Sequence, residues 1–364
     1  MTKFAFVIHP ISGRDVARKY PIARLFPESA IEAFLKRKNP MVLSEITGIK
    51  SKTGATTEGI FIGLPLTPRQ MVRTVPIEEV YQKIIQCAEL AEREGAKLLG
   101  LGAFSAVVGD GGITVATRSP IAITTGNSYT VATAIEGLLK ASKMVGIQPE
   151  DSTLAVIGAT GSIGKTCALV LRKNFKNLMV IGRDEARTIV AGKSVGADVS
   201  TTDVSRIREA DAIISVTSSE SAVVMPEYLR PGAVVCDVSR PRDVSVRVAK
   251  ERPDVLVIEG GVVRVPGDVD FHFNFGFPEK TAFACMSETM MLALEDRPES
   301  YTTGKDVSVS QVEEMAILAI KHGFELAGFR SFEKQVGEPE IDRARTARQR
   351  FLQDFPNEKV AVGQ

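Results

Sequence analysis

The spacing of apolar and polar residues in the first 146 positions is typical of a small α/β domain. Apolar runs of strand length occur at 4–8, 42–49 and 57–64, and patterns with helical periodicity occur at 14–25, 27–38 and 77–94. Gly95 follows the last of these, as expected for a helix that ends in a glycine cap. The stretch LLGLGAFSAVVGDGG then predicts a buried strand and a glycine-rich loop, and IAITTGNSYTVATAIEGLLKASKMVG predicts a strand, a turn and a helix.

The pattern changes after residues 147–152, which carry no core periodicity. Short apolar runs then alternate with helical patterns, in the segments STLAVIGATGSIGKTCALVLRK, NLMVIGRDEA, GADVSTTD, ADAIISVTSS, GAVVCDVSRP and DVLVIEGG. Strands that alternate with helices predict a parallel sheet covered on both faces. From Asp268 onward the pattern predicts mainly helices, including one at 311–322, and then a highly charged tail with a peripheral helix.

A glycine-rich loop follows the first strand of the alternating region and opens a helix, as a dinucleotide fingerprint requires. Its spacing is GxxGxxG, in which glycine permits a tight turn and a close approach of the backbone to a pyrophosphate. The predicted cofactor-binding residues of this loop are Gly158, Thr160, Gly161, Ser162, Ile163 and Gly164. The alternative is a glycine turn that binds no ligand.

The end of the next strand predicts which cofactor the loop binds. Arg183 comes first after LMVIG, and a guanidinium suits the 2′-phosphate of NADP, whereas an acidic residue there would accept from the ribose hydroxyl of NAD. Asp184 follows directly and is interpreted as a helix cap. The order of these two residues favours NADPH.

Together these patterns predict an α/β fold. A Rossmann-like, doubly wound NADP-binding domain is inserted between an N-terminal α/β domain and a C-terminal, mainly helical segment. The expected divisions are an N-terminal substrate and catalytic domain at 1–148 and the Rossmann domain at 149–265. They continue with a helical segment at 266–332, which packs on the N-terminal domain, and a charged tail at 333–364.

The composition is that of an ordinary globular protein, with 44% hydrophobic and 24% charged residues in 364 positions. No apolar stretch reaches the roughly 18 residues that cross a bilayer, and the N-terminus lacks a secretory apolar region. The four cysteines show no CxxC spacing, so neither a metal cluster nor a disulfide framework is expected. These features predict a cytoplasmic protein with reduced thiols and no stable membrane insertion.

Charge is unevenly distributed along the chain. The formal net charge of +1 argues against a general nucleic-acid binder. Residues 1–52, however, hold ten Lys or Arg against four Asp or Glu, with the runs Arg18-Lys19 and Lys36-Arg37-Lys38. This stretch is either a solvated face or a docking surface for an acidic partner.

One thiol, Cys285, lies within the apolar run TAFACMSETMM at 281–291. A helix here would be apolar nearly all round and so buried, with Cys285 and Glu288 on one face. Free cysteine is among the most buried residue types, so periodicity alone favours core packing over catalysis. Helix-dipole activation depends on where the helix begins, and starts at Pro278 and near Thr281 are both compatible with the sequence. A charged Glu288 would raise the thiol pKa, and no role is assigned to it.

Several of these stretches together resemble one family. LGAFSAVV, TTGNSYTVA, VIGATGSIG, IEGGVV, FACMSETMMLALE and KHGF occur in the order and near the spacing found in long-chain acyl-[acyl-carrier-protein] reductases, the fatty-aldehyde-forming enzymes best known from cyanobacteria. The similarity covers residues 3 to 330. The chain departs from the family at DRPESYTTGKDVSVS and in the tail after Lys334, and DVSRPRDV is closer to glutamyl-tRNA reductases.

The resemblance implies an activity and a nucleophile. The cysteine of the FAC motif, here Cys285, would attack a fatty acyl thioester, and NADPH held at Gly158, Gly161 and Gly164 would reduce the acyl-enzyme to an aldehyde. The acyl donor would be an acyl carrier protein or acyl-CoA, and a homo-oligomer stays open. The family's chemistry needs a group that stabilises the oxyanion formed at the carbonyl. Asn127 of the TTGN turn is the candidate, and the alternative is that this Asn only forms the turn.

Two histidines, His272 and His322, are candidates to poise the thiol, beside structural or surface roles. The phenylalanine-rich run DFHFNFGFP is compatible with an acyl tunnel or with core packing. Three other functions stay open: a shikimate- or amino-acid-dehydrogenase-like enzyme without a covalent step, a nucleotide-sensing protein without turnover, and a glutamyl-tRNA-type reductase. The low net charge argues against the last.

Overall fold

The computed structural model describes residues 1–15, 25–219, 221–239, 242–274, 276, 278–304, 306–332 and 334–355. These residues form two compact units. The first comprises Met1–Tyr129, Val263–Asp306 and Glu314–Glu325, and the second comprises Thr130–Val262, Val307–Glu313 and Leu326–Gln364. Residues 130–148, expected in the N-terminal domain, fall in the second unit, and so does the described part of the tail.

The strands in chain order are β1 (Phe4–Ile8), β2 (Met41–Lys50), β3 (Thr56–Gly63), β4 (Leu98–Gly100), β5 (Ala122–Thr124), β6 (Thr153–Ile157), β7 (Asn177–Ile181), β8 (Val199–Thr201), β9 (Ala212–Ser215), β10 (Val234–Asp237), β11 (Leu256–Glu259), β12 (Val262–Arg264), β13 (Gly267–Asp270), β14 (Thr281–Phe283), β15 (Glu325–Leu326), β16 (Arg330–Ser331) and β17 (Lys334–Gln335).

The α-helices are α1 (Glu28–Lys36), α2 (Ile77–Arg93), α3 (Ile113–Arg118), α4 (Asn127–Val145), α5 (Ser162–Leu171), α6 (Glu185–Val195), α7 (Val246–Glu251), α8 (Ala284–Leu294), α9 (Val309–His322) and α10 (Glu338–Asp354). Short 3₁₀ turns occur at Gly13–Asp15, Ala103–Ala106, Pro149–Asp151, Val204–Glu209 and Pro226–Tyr228, and a π-helical turn at Gln70–Thr74. None of the described helices combines the length and the apolar character needed to cross a membrane.

The first unit is built on a mixed sheet with the strand order β13-β2-β3-β1-β4-β5. Strands β3, β1, β4 and β5 are parallel, whereas β2 runs antiparallel to β3 and to β13. The apolar run of β1 is buried because neighbours cover both faces of this central strand. Helix α2 ends at Arg93, and Gly95 beyond it adopts a left-handed φ of 84°, which matches the predicted glycine cap.

The second unit contains a six-stranded parallel sheet with the order β11-β10-β9-β6-β7-β8. Counted from its own first strand, this is the 3-2-1-4-5-6 order of a Rossmann fold. Alternate residues of each strand enter different apolar clusters: Leu154 and Val156 pack in one, and Ala155 and Ile157 in the other. The sheet is therefore buried on both faces, and the predicted α/β fold with a Rossmann-like domain is confirmed.

The described part of the tail is anchored rather than peripheral. Arg348 of α10 and Arg230 each donate to Oδ1 of Asp211, at 2.7 and 2.8 Å, and all three side chains are buried. Burial of these charges is tolerated because they are paired and hydrogen-bonded. Residues 356–364 lie outside the described part of the chain.

Other expectations need correction. The region after Asp268 is mainly helical, as expected, but it also contains the short strands β13 to β17. The run at 281–291 is not a single helix, because its first three residues form β14 and the helix begins at Ala284. The helix expected at 14–25 mostly falls on residues 16–24, which lie outside the described residues.

Candidate active site around Cys285 and the glycine-rich loop

Three loops of the first unit meet at one edge of its sheet. Strands β1, β4 and β5 are adjacent and parallel, so the segments that follow their carboxyl ends are neighbours. They contribute His9 after β1, the 3₁₀ turn Ala103–Ala106 after β4, and the TTGN turn after β5. Ligands of open α/β sheets commonly bind at such an edge.

Cys285 is the second residue of α8, and it is the one residue of this helix that is not fully buried. Helix α8 packs across β4, β1 and β3, which covers its other residues. The extended Phe283 before the helix places Cys285 in the first turn, where the helix dipole acts most strongly. The later of the two expected starts is thus closer to the structure, and Cys285 is a partly exposed residue near a helix N-terminus.

The TTGN turn lies directly against Cys285. A β-carbon built on Gly126 would be 2.2 Å from both Cα and Cβ of Cys285, and Gly126 has a left-handed φ of 74°. Glycine is required here for two reasons, because a side chain would clash and because L-residues avoid this backbone conformation. The turn therefore lies with the backbone of Gly126, the residue before Asn127, against Cys285.

Burial raises the pKa of the Cys285 thiol to about 12, and the nearby charge of Glu288 acts in the same direction. Hydrogen bonds from the backbone N–H groups of Met286 and Cys285 lower the pKa and so oppose this shift. The thiol is therefore protonated in the ligand-free protein at neutral pH. The three other cysteines are fully buried. Cys285 is thus the accessible thiol of the described chain.

The Asn127 residue is 5% exposed. Asn127 is the first residue of α4, so the N-terminal N–H groups of that helix lie beside it. This corner can accept a negatively charged or carbonyl oxygen.

The structure does not bring His272 to Cys285. Its ring nitrogens contact Thr47 Oγ1 at 3.1 Å and Asp270 Oδ2 at 3.3 Å. His272 follows β13, at the opposite edge of the sheet from β5, and five inter-strand spacings amount to about 24 Å. The predicted role of His272 in poising the thiol is therefore not supported by its position.

His322 is also engaged elsewhere. Its ring lies 2.8 Å from Ser51 Oγ and 2.6 Å from Glu295 Oε1. Glu295 caps the far end of α8, ten residues beyond Cys285, which is about 15 Å along the helix axis. Burial lowers the pKa of His322, although Glu295 opposes this. His322 stabilises the opposite end of the thiol helix.

His9 was missed by the sequence interpretation. Its Nε2 accepts a hydrogen bond from the Phe104 N–H at 3.3 Å, which leaves Nδ1–H to donate to Pro10 O at 3.1 Å. Burial lowers the pKa of His9, so the ring is neutral. The sequence feature that could have identified His9 is its position directly after the first strand of a parallel sheet, where ligand-binding residues are common.

The phenylalanine-rich run packs on the sheet where it is described. Phe271 and Phe273 contact Phe61 with ring centroids 6.0 and 6.2 Å apart. Residues 275 and 277 lie outside the described part of the chain. Among the described residues, no group of three or more His, Cys, Asp or Glu side chains is placed to hold a metal ion.

The glycine-rich loop of the second unit has the geometry of a dinucleotide site. Gly158 has a φ of 87°, and a β-carbon there would lie 2.1 Å from Val216 O, while one on Gly164 would lie 2.4 Å from Gly158 O. Gly161 precedes α5, which begins at Ser162 and carries no side-chain cap, so its first N–H groups stay available for a phosphate. Thr160, Ser162 and Ile163 complete the turn.

The two charged residues that follow β7 differ in what they contact. Arg183 is exposed directly after the strand, whereas the Asp184 carboxylate accepts from the Arg187 N–H at 2.8 Å and caps α6. Asp184 is therefore occupied as a cap, and Arg183 presents a cation at the edge of the nucleotide site.

Comparison with known proteins gives several matches. A sequence model of the shikimate/quinate 5-dehydrogenase family matches residues 140–259. The chain is 29% identical over 338 residues to the aminotransferase PigE of Serratia sp., covering 88% of the chain and 39% of PigE. It is 26% identical over 328 residues to the long-chain acyl-[acyl-carrier-protein] reductase of Synechococcus elongatus, covering 86% of the chain and 94% of that protein. The chain thus spans well under half the length of PigE.

Two solved structures match the chain at 12% identity and a TM-score of 0.40. They are L-tryptophan dehydrogenase from Nostoc punctiforme, with 97% of the chain and 88% of that protein covered, and shikimate dehydrogenase from Aquifex aeolicus, with 87% and 97% covered. The family match and the reductase relative support the class predicted from the sequence, an NADP(H)-dependent oxidoreductase with a Rossmann-like domain.

Proposed function

We propose that this protein reduces a fatty acyl thioester to an aldehyde with NADPH, through an acyl-enzyme on Cys285. The observation that carries the proposal is the position of Cys285, the one accessible residue in an otherwise buried helix, in its first turn and against the TTGN turn. The match to an acyl-[acyl-carrier-protein] reductase over 94% of that protein's length supports the same chemistry.

Cys285 forms the covalent bond in this mechanism. Its sulfur bonds to the thioester carbonyl carbon as the bond from that carbon to the carrier sulfur breaks, and the thiol proton ends on the released carrier thiol. The N–H of Met286 stabilises the developing thiolate, because it opposes the effect of burial on the thiol pKa.

Asn127 stabilises the oxyanion that forms at the carbonyl. Its side-chain NH₂ is a hydrogen-bond donor that can reach a substrate oxygen at this corner. The N-terminus of α4 adds backbone dipoles of the right sign at the same corner. A donor of this kind typically contributes about 100- to 1,000-fold to the rate.

The glycine-rich loop fits NADPH by its own geometry. Gly158, Gly161 and Gly164 keep side chains away from the turn, and the start of α5 supplies N–H donors for the pyrophosphate. Arg183 would contact the 2′-phosphate. When bound, NADPH supplies the hydride that converts the acyl-enzyme to the aldehyde level, after which the Cys285 sulfur leaves.

An acidic carrier protein is the proposed acyl donor. Arg37 and Lys38 extend from the end of α1, whereas Lys36 is paired with Glu79 at 3.1 Å. Reversing Lys36, Arg37 and Lys38 to Glu should raise KM for the carrier-linked substrate and leave KM for the CoA ester unchanged. Reversal of the exposed Lys250 of α7 is the control, and an unchanged KM for the carrier-linked substrate would remove this surface from the proposal.

The deciding experiment is intact-protein mass after incubation with a C16 acyl thioester without NADPH. Wild type and Cys167→Ala should gain one acyl group, and Cys285→Ala should gain none, because Cys167 is fully buried. Added NADPH should discharge the adduct as aldehyde. A wild-type protein without an adduct, for several chain lengths and for both carriers, would favour a dehydrogenase that forms no covalent intermediate.

A further inference from the structure

Glu288 is a carboxyl group in an unusual place. It lies in α8 three residues after Cys285 and is 0% exposed. Burial of a carboxyl group is costly unless its oxygens are hydrogen-bonded. The partners of Glu288 therefore show what the surrounding structure holds in place.

Three segments donate to Glu288. Oε1 accepts from Thr124 Oγ1 at 2.5 Å and from Thr302 Oγ1 at 2.8 Å, and Oε2 accepts from the Tyr129 N–H at 2.9 Å. Thr124 ends β5, Tyr129 lies in the first turn of α4, and Thr302 follows α8. One carboxyl group thus ties both sides of the TTGN turn to the helix that carries the thiol.

Thr302 is held under strain at this point. Its φ of 52° lies in the left-handed region, which non-glycine residues avoid. Its carbonyl oxygen accepts from Thr125 Oγ1, and its hydroxyl lies 2.9 Å from Ser128 Oγ. Such a conformation persists where the surroundings over-determine it, and strained residues of this kind cluster at functional sites.

The Glu288 carboxyl group is the acceptor in each of these bonds. The donors are two hydroxyls and the backbone N–H groups of Tyr129 and Gly126. In Glu288→Gln an amide NH₂ takes the place of one carboxyl oxygen, so the Thr124 and Thr302 hydroxyls would have to accept instead of donate, and the hydrogen bonds that hold the TTGN turn would rearrange. The carboxylate also has a disadvantage, because its charge disfavours the thiolate of Cys285. The hydrogen bonds that Glu288 makes to the TTGN turn and to Thr302 offset this disadvantage, which indicates that its role is to position these segments.

We propose that Glu288 is a positioning residue of the acyl-transfer step, and that it sets the placement of the Asn127 amide relative to the Cys285 sulfur by fixing the TTGN turn to α8. The proposal rests on the proposed function, because positioning is defined here by acylation of Cys285. The contact between Gly126 and the Cα of Cys285 transmits the constraint, since that contact leaves no space for the turn to shift inward.

Burial raises the pKa of Glu288, and its four hydrogen-bond donors, Thr124, Tyr129, Thr302 and Gly126, oppose this. Within the described chain no cation is among its partners, and the charged group that acts on the Cys285 thiol is Glu288 itself. Tyr301 is the further titratable neighbour, and its hydroxyl donates to Glu314 at 2.6 Å. Removing the charge of Glu288 should therefore make the thiol more reactive toward a small reagent.

A Glu288 variant should lose positioning, which slows acylation, and lose a nearby negative charge, which speeds alkylation. Because these effects have opposite signs, measuring both rates separates positioning from thiol reactivity. In Glu288→Gln, the rate of alkylation of Cys285 by iodoacetamide at pH 8 should rise at least about threefold, because the nearby charge is lost. The single-turnover rate of acylation by a C16 acyl thioester should fall about 100-fold, because a small misplacement of reacting groups is costly. Glu295→Gln is the matched control on the same helix and should leave both rates within about twofold.

A second pair of variants avoids dependence on the folding of Glu288→Gln. Thr124→Val and Thr302→Val each remove one donor and keep the shape, so acylation should fall while alkylation changes little. Acylation in Glu288→Gln that is equal to wild type, or that rises with alkylation, would overturn the inference and leave the proposed function intact. A wild type that is alkylated at Cys285 but never acylated would overturn both.

Discussion

Gly126 and Cys285 lie in contact through their backbones, because a β-carbon on Gly126 would be 2.2 Å from Cα of Cys285. This contact joins the start of α4 to the start of α8, so two helix N-termini meet at one thiol. Each N-terminus carries unsatisfied N–H groups and a partial positive charge. The contact therefore places the Cys285 thiol at the N-termini of two helices of the structure.

Gly126→Ala should abolish acylation of Cys285. The added methyl group must displace backbone atoms, and the left-handed φ of 74° costs an L-residue a further ~1–2 kcal/mol. Gly95→Ala is the control, because Gly95 has a φ of 84° and nothing within 4 Å of an added β-carbon. Urea unfolding should show a cost of about 1–2 kcal/mol for Gly95→Ala and a larger cost for Gly126→Ala. The single-turnover acylation rate should fall at least ~100-fold only in Gly126→Ala. Equal acylation in the two variants would contradict the contact.

The Rossmann-like unit could be read from the sequence, because its strands are short apolar runs separated by glycine turns and helices. Leu154 and Ala155 face opposite sides of the sheet, so both must be apolar and the pattern is continuous. Strands β13 and β14 were missed, because their three or four residues are too few to show a period. The position of α4 in the second unit depends on contacts between distant segments, which local patterns do not carry.

The ligand-free thiol should be slow to alkylate at neutral pH. Because burial raises the pKa of Cys285 to about 12, the thiolate fraction, and with it the alkylation rate, should rise about tenfold per pH unit between pH 7 and 10 without a plateau. Mass spectrometry should locate the label on Cys285, since Cys87, Cys167 and Cys236 are fully buried. In urea all four cysteines should react, with a plateau near the ordinary thiol pKa. A plateau below pH 8 in the native protein would mean that the thiol is activated before substrate binds.

The candidate site was only partly predictable. Cys285 and Asn127 could be singled out because each lies in a short, distinctive motif, and the structure places those motifs in contact. Glu288 could not, because a lone acidic residue in an apolar helix gives no indication of its partners, which are 164 and 159 residues away at Thr124 and Tyr129. His272 and His322 could be named only as candidates, because the sequence does not indicate which edge of the sheet or which end of α8 a histidine occupies.

Gly161→Ala should weaken NADPH binding without unfolding the second unit. A β-carbon at Gly161 would be 3.4 Å from Gly158 O, an ordinary contact, so the fold accepts it while the added methyl group obstructs a nearby pyrophosphate. We expect an increase in Kd of at least about tenfold, or about 1.4 kcal/mol, by fluorescence titration. Gly137→Ala in α4 is the control and should leave Kd unchanged, since its β-carbon meets only Ile258 Cδ1 at 3.6 Å. Unchanged binding in Gly161→Ala would place the cofactor elsewhere.

Arg183→Ala should reduce the preference for NADPH over NADH. Arg183 is exposed after β7 and Asp184 is occupied as the cap of α6, so the guanidinium is the group available to a 2′-phosphate. Loss of one charge-assisted contact of this kind costs about 1.5–3 kcal/mol, so Kd for NADPH should rise about 10- to 100-fold while Kd for NADH stays within about twofold. Lys193→Ala near the end of the same helix controls for a general loss of positive charge. An equal loss of affinity for both cofactors would show that Arg183 supports the fold of the loop rather than reading the 2′-phosphate.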